Sequence, residues 1–262
     1  MNKAAGFVIF NRNRFLALRK NAEKEFWDFP KGHVESEDDI DAAVRELFEE
    51  TGITNFQIVP GFREEITYFD GNEEKIAVYF LAFTDEVSVK LSSEHKSYKW
   101  MENLEELTFE NQKNLIKSAK DFLKSKKPKF LGNVAVVGAS RNEEKYGFKI
   151  FKYLLNRGAR VFLVNPNADS IFYVKCFPKL SAIKERIDIV DIVVPPKIAV
   201  SVVREAVGIR PKIVWLQPGS ESDEAIELCR KNGIKVIYNA CIMEDTRESD
   251  NIDAIKLNYN KK

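Results

Sequence analysis

The 262-residue sequence lacks several features, and each absence excludes a class of protein. It has only three cysteines, Cys176, Cys229 and Cys241, odd in number and scattered without ligand-like spacing. A disulfide framework or a zinc site is therefore not expected, and reduced thiols in a cytoplasm are the simplest account. No apolar run approaches the roughly 20 residues that span a bilayer. The amino-terminal MNKAAGFVIFNRNRF enters an alternating apolar pattern and carries arginines where a signal peptide needs an apolar stretch. Neither charge sign prevails: 41 Lys and Arg stand against 40 Asp and Glu. A nucleic-acid binder would normally be basic, so neither a nucleic acid nor a membrane is expected as a partner.

What is present is a soluble globular composition, 44% hydrophobic and 31% charged, on a chain long enough for two domains. The richest stretch is GHVESEDDIDAAVRELFEETGI, residues 32–53. Read as a helix, it places Glu46, Glu49 and Glu50 on one face, one turn apart. Like charges so close repel, and a hard divalent cation with oxygen ligands would relieve them. A solvated acidic face is the plain alternative. Gly52 suits a left-handed cap after the last turn. Ala43, Val44, Leu47 and Phe48 supply an apolar stripe, and Arg45 stands beside the acids.

The frame Gly32, Glu37, Arg45-Glu46-Leu47, Glu49-Glu50, Gly52-Ile53 resembles the Nudix hydrolase box. There is one departure: four residues separate Gly32 from Glu37 where the family has five. Three further pieces, 26–35 (FWDFPKGHVE), 78–82 (VYFLA) and 94–101 (EHKSYKWM), resemble the asymmetric diadenosine-tetraphosphate hydrolase branch of that family. The resemblance covers residues 1 to about 125 and implies an α+β Nudix domain that hydrolyses a nucleoside polyphosphate. It implies that Glu46, Glu49, Glu50 and the Gly32 carbonyl hold Mg2+ (or Mn2+), and that Glu94 is a further ligand or the base. Arg45 would orient Glu49 or a neighbour. Lys31 and Lys96 would steady phosphates, with His33 as hydrogen-bond donor or proton carrier. Tyr79 would stack on adenine, unless it is core like most strand aromatics.

Short apolar and alternating runs predict strands at 4–10, 15–19, 54–60, 62–69 and 76–83, another strand ending at Trp100 and Met101, and a helix over 103–126. Asp70-Gly71-Asn72 reads as a hairpin turn. The basic, proline-bearing 124–129 reads as a linker. Beyond it the rhythm becomes strand–helix–strand: strands at 133–137, 160–164, 189–194, 213–216 and 235–238, with helices near 148–157, 198–207 and 221–232. That alternation implies a parallel sheet covered on both faces. The expected division is a domain over 1–126 and a second over 130–250.

The turn after the first strand of the second half, Gly138-Ala139-Ser140, precedes a helix and offers backbone N–H groups to a phosphate. Ser140 stands where a dinucleotide fingerprint has its second glycine, and no acid ends the next strand, so an ordinary NAD site is disfavoured. With Tyr146-Gly147, VNPN at 164–167, Val194-Pro195-Pro196, WLQPG at 215–219 and NACIM at 239–243, the pattern resembles the coenzyme A-binding Rossmann-like domain, an α/β fold with a doubly wound parallel sheet. The resemblance implies that Gly138, Ser140 and Tyr146 meet the coenzyme's phosphates, Asn165 and Pro166 its ribose or adenine side, and Val194 and Pro195 the adenine pocket. A Rossmann-like domain that binds another nucleotide, such as an adenine nucleotide, or that simply mediates assembly, is the alternative. Domains of this kind often pair, so a homodimer is an expectation of the resemblance. Together the halves imply diadenosine tetraphosphate cleaved to ATP and AMP, with the second domain as regulator. Hydrolysis of coenzyme A or ADP-ribose, or nucleotide sensing without turnover, are the alternatives.

Overall fold

The computed structural model describes residues 3–21, 26–70, 73–125 and 130–246. The chain divides into two compact units, Met1–Lys126 and Lys127–Lys262.

The first unit runs β1 (Lys3–Asn11), β2 (Arg14–Lys20), β3 (Trp27–Asp28), β4 (Lys31–His33), α1 (Asp39–Thr51), β5 (Phe56–Asp70), β6 (Glu73–Thr84), β7 (His95–Met101) and α2 (Glu110–Ser125). Its sheet has the order β3-β2-β1-β6-β5, with β4 added to β1 and β7 to β2. β1 and β6 are parallel and the remaining pairs antiparallel, a mixed sheet. Side chains alternate across a strand. Ala4, Val8 and Phe10 join Tyr79, Leu81 and Met101 in a core with Leu115, Ile116 and Ala119 of α2. Ala5, Phe7 and Ile9 are equally buried and point to the other face, where α1 lies against β1 and β6.

Several expectations are adjusted. The two strands expected at 54–60 and 62–69 are one strand, β5, bent by a register shift between Ile58 and Arg63. Gly61 adopts φ 100° there, a conformation that suits a residue without Cβ. The helix expected from 103 starts at Glu110. Before it, Asn103 caps a short 3-10 turn at Leu104–Glu106, and Leu107 returns to extended backbone. On α1 the buried stripe is Ile40, Ala42, Ala43 and Leu47, whereas Phe48 is 57% exposed, because one step along a helix turns a side chain about 100° off its neighbour's face. Gly52 closes α1 at φ 65°, its N–H donating to Phe48 O. Residues 71–72 of the expected hairpin and 126–129 of the expected linker lie outside the described residues; Asp70 of β5 pairs with Glu73 of β6.

The second unit runs β8 (Phe130–Val137), α3 (Tyr146–Asn156), β9 (Ala159–Val164), β10 (Ser170–Ile171), β11 (Val174–Phe177), β12 (Ile189–Ile192), α4 (Pro196–Ile209), β13 (Ile213–Leu216), α5 (Asp223–Lys231), β14 (Lys235–Ile237) and α6 (Ile242–Asp245). The sheet order is β10-β11-β9-β8-β12-β13-β14, and every pair but β10–β11 is parallel. β12 and β13 are buried at every position, as strands covered on both faces must be. One face packs on α4 and α5 through Val190, Ile192, Val214 and Leu216. The chain leaves β8 for β9 on one side and returns to β12 on the other, so β8 is where the strand order reverses.

Candidate active site and cofactor cavity

The acid cluster of α1 is organised by Arg45. Its Nη2 donates to Glu37 Oε1 (2.8 Å) and to the His33 carbonyl (2.8 Å), and Nη1 donates to Glu46 Oε1 (2.6 Å) and Glu49 Oε2 (3.2 Å). One guanidinium thus ties the loop before α1 to two carboxylates of the helix. The loop that is one residue short still delivers Glu37 to Arg45, whose hydrogen bond holds the Glu37 carboxyl below its usual range. The same partners raise the Arg45 pKa.

Gly32 lies directly against the cluster: an ideal Cβ there would fall 2.0 Å from the Glu46 carboxyl carbon. Glu50 is buried. Its Oε2 accepts from the Lys31 backbone N–H (3.0 Å), and its Oε1 stands 3.7 Å from His95 Nε2. Burial pushes the Glu50 carboxyl up to about 8, against the pull of Lys31. Glu46 is also raised, first by burial, with Arg45 opposing and Glu49 and Glu94 adding repulsion. His95 is lowered by burial and by Lys20. Glu94 is exposed and acts electrostatically on both Glu46 and His95. His33 and Lys96 are exposed on β4 and β7.

Two expectations are corrected. Tyr79 is fully buried, with the Phe29 ring at 5.8 Å in an edge arrangement. Its side of β6 faces the α2 core, so the ring has no open face for adenine. Lys31 turns its ammonium inward to Asp28 Oδ2 at 2.7 Å, with 9% of its side chain exposed, and sits 5.6 Å from the centre of the Tyr68 ring. Burial opposes its charge, but Asp28, Tyr68 and Glu50 outweigh that and raise the Lys31 pKa.

Among the described residues no group of three or more His, Cys, Asp or Glu side chains stands arranged for a metal ion. The reason is local: Arg45 Nη1 stands between Glu46 and Glu49, while Glu50 turns to Lys31 and His95. The donor set nevertheless suits a hard cation. Its side chains all offer carboxylate oxygens, the donors such a cation takes. Glu46 and Glu49 converge on a single nitrogen, and Glu50 is a desolvated acid. Sequence reading missed Asp28 and Gln112, which meet beside the strap, residues 29–31, that leads from β3 into β4 (Gln112 Nε2 to Asp28 Oδ1, 3.1 Å). The acid in Trp27-Asp28-Phe29-Pro30 was the available signal.

In the second unit Gly138, Ser140, Asn165, Pro166 and Val194 line one cavity of about 480 Å³. Gly138 has φ 96°, and a Cβ on it would fall 2.5 Å from Val193 O. Asn165 Nδ2 donates to Ala139 O (2.8 Å) and Asn165 Oδ1 accepts from Asn167 N (2.8 Å), locking the two strand ends together. Lys145 and Lys179 also line the cavity and supply positive charge that sequence reading did not name. Tyr146 and Pro195 adjoin the lining residues Lys145 and Val194 in sequence but do not themselves line the cavity. Tyr146 is 66% exposed at the start of α3, and exposed Pro195 caps α4.

Comparison with known proteins finds two families, each over one part of the chain. The family described as NUDIX domain matches residues 1–125 and the family described as CoA binding domain matches residues 132–247. The chain is 34% identical over 139 residues to bis(5'-nucleosyl)-tetraphosphatase [asymmetrical] of Rattus norvegicus, covering 46% of this chain and 95% of that protein. It is 35% identical over 116 residues to acetate–CoA ligase [ADP-forming] II of Archaeoglobus fulgidus, covering 40% of this chain but only 17% of that enzyme. The solved structure of a C. elegans Ap4A hydrolase binary complex is 31% identical, with 48% of this chain and 99% of that one covered and a TM-score of 0.46. The matched families and the curated relatives define an enzyme, a pyrophosphohydrolase joined to a CoA-binding domain. The chain belongs to the Nudix hydrolases. Among the described residues no helix is long and apolar enough to cross a membrane.

Proposed function

We propose that the first domain hydrolyses a dinucleoside polyphosphate, with diadenosine tetraphosphate giving ATP and AMP. The observation that carries this reading is the gathering of Glu37, Glu46 and Glu49 by Arg45, with Glu50 latched to the strap beside Gly32. The relatives whose name specifies an asymmetrical tetraphosphatase support the substrate class. Glu46, Glu49, Glu50 and the Gly32 carbonyl would hold Mg2+ or Mn2+. When bound, such a cation neutralises polyphosphate charge and acidifies water. The remaining work falls to the chain. Arg45 orients Glu46 and Glu49. Glu94, exposed and repelling Glu46, would take a proton from the attacking water. Lys96 and His33 are exposed and contribute charge and a hydrogen-bond donor to the phosphates.

For the second domain the reading is coenzyme A binding in the cavity lined by Gly138, Ser140, Asn165, Pro166 and Val194. The reversal of strand order at β8 reads as a doubly wound arrangement, whose ligands bind at that switch point. Turnover over a panel of diadenosine tetraphosphate, ADP-ribose and coenzyme A, with products resolved chromatographically, tests the first assignment. Release of ATP and AMP is expected, and preferential cleavage of coenzyme A would replace it. Calorimetric titration with coenzyme A tests the second.

A further inference from the structure

The strap between β3 and β4 is held from three sides. Phe7 N–H donates to Pro30 O (3.0 Å), and a Cβ on Gly6 would fall 2.1 Å from the same oxygen, so β1 holds the strap closely. Asp28 holds it from within: Oδ1 accepts from Phe29 N–H (2.9 Å) and from Gln112 Nε2 (3.1 Å), and Oδ2 pairs with Lys31 Nζ (2.7 Å). Gln112 Nε2 also donates to Trp27 O (2.9 Å), tying α2 to β3. Lys31 therefore has two engagements. Its side chain is fixed to Asp28, and its backbone N–H fixes Glu50, one residue before Gly32 meets Glu46.

This arrangement is a costly way to stabilise a fold. A buried ion pair contributes little net stability compared with apolar packing. Two more polar atoms of the same region, Tyr79 Oη and Gln112 Oε1, are buried without a hydrogen-bond partner, which adds a desolvation cost. What the cluster does provide is a fixed position for the Lys31 amide and the Gly32 carbonyl against the acid helix.

We propose that Asp28, braced by Gln112, is a positioning residue for hydrolysis, acting through Lys31 to hold the strap in register with Glu46 and Glu50. The inference rests on the reading of the first domain as a polyphosphate hydrolase. It assigns the Lys31 ammonium to Asp28 and not to substrate phosphates.

The test compares wild type, Asp28→Asn, Asp28→Glu and the apolar pair Asp28→Leu/Lys31→Met by kcat, KM, melting temperature and Mn2+ affinity from electron paramagnetic resonance. Asp28→Asn is expected to lower kcat and Mn2+ affinity each by roughly 10- to 100-fold, the range for residues that orient metal ligands, with KM nearly unchanged. Asp28→Glu should recover part of the loss. The apolar pair should melt no lower than wild type yet remain slow. Wild-type turnover in the apolar pair, or losses that only follow the melting temperature, would overturn the proposal. A rise in KM without loss of kcat would return Lys31 to the phosphates and overturn it as well. If wild type cleaves no nucleotide of the panel, the hydrolase reading fails by itself. The Mn2+ arm then decides, because equal affinity in wild type and Asp28→Asn, or no binding by either, rejects the positioning role.

Discussion

Gly32 and Glu46 occupy the same space that a side chain would need: a Cβ on Gly32 would come within 2.1 Å of Glu46 Oε2 and 2.2 Å of Oε1. The obstructing atoms are the end of a flexible side chain, so the fold can yield where the site cannot. Gly32→Ala should therefore keep its secondary structure and most of its melting temperature while the Glu46 carboxylate is displaced. Turnover of diadenosine tetraphosphate is expected to fall by roughly 10- to 100-fold, as when a metal ligand loses its orientation. Circular dichroism beside steady-state kinetics checks this, and an active variant would remove Gly32 from the site.

Arg45→Lys tests the organising role of the guanidinium. A lysine is a single flexible point charge and cannot reproduce the fork that reaches Glu37, Glu46, Glu49 and the His33 carbonyl. The Arg45 side chain is 31% exposed, so the stability change should be small, about 1 kcal/mol or less. Activity should fall by at least about tenfold. A melt and a kcat measurement on the same preparation separate the two effects.

Much of this site was legible because chemistry and spacing coincide on one helix. The positions of Arg45, Glu46, Glu49 and Glu50 follow from helical periodicity, and Gly52 announced its own cap. What periodicity does not encode is which strand face or which distant element a side chain meets. Tyr79 reads as core by the habit of strand aromatics and as a stacking residue by resemblance, and alternation does not decide, because it gives two faces without naming the helix that covers each. Asp28 and Gln112 are 84 positions apart, and no local pattern joins them. The β10–β11 hairpin was missed for another reason. Phe172 and Tyr173 turn it at φ 44° and 58°, where a glycine or asparagine would have signalled the turn.

Tyr79→Phe should be neutral or stabilising. The hydroxyl is buried without a hydrogen-bond partner, so its removal relieves a desolvation penalty on the order of 1 kcal/mol, while the ring stays against Phe29. KM for the nucleotide should not change. A raised KM would mean that the hydroxyl reaches substrate, contrary to its place in the α2 core.

Gly147→Ala probes the cavity of the second domain. A Cβ there would fall 2.2 Å from Gly138 O, a backbone atom that cannot turn aside. Overpacking of this kind costs about 1–3 kcal/mol. The strain falls on the turn between β8 and α3, so the variant should lose both thermal stability and coenzyme A affinity in calorimetry. Unaltered affinity would detach the turn from the binding site.

The burial of Asp191 predicts a pH dependence for the stability of the second domain. It is fully buried in β12. Its Oδ1 accepts from Gln217 Nε2 and its Oδ2 has no partner. Burial pushes its pKa from 3.8 up to about 7, with Gln217 opposing. The folded state therefore holds a proton that the unfolded chain releases at lower pH. The stabilisation is complete below about pH 4 and is lost as pH rises toward 7. Asp191→Asn keeps an acceptor for Gln217 and removes the titration. Melting curves of the two proteins should nearly coincide near pH 4 and separate progressively up to pH 8, where the variant is the more stable by on the order of a few kcal/mol. Gln217 Oε1 accepts from Ile242 N–H at 3.4 Å, so α6 should be the first element to lose amide protection in wild type as the pH is raised. Curves that stay parallel across this range would show that Asp191 ionises in the folded domain as it does in the unfolded chain.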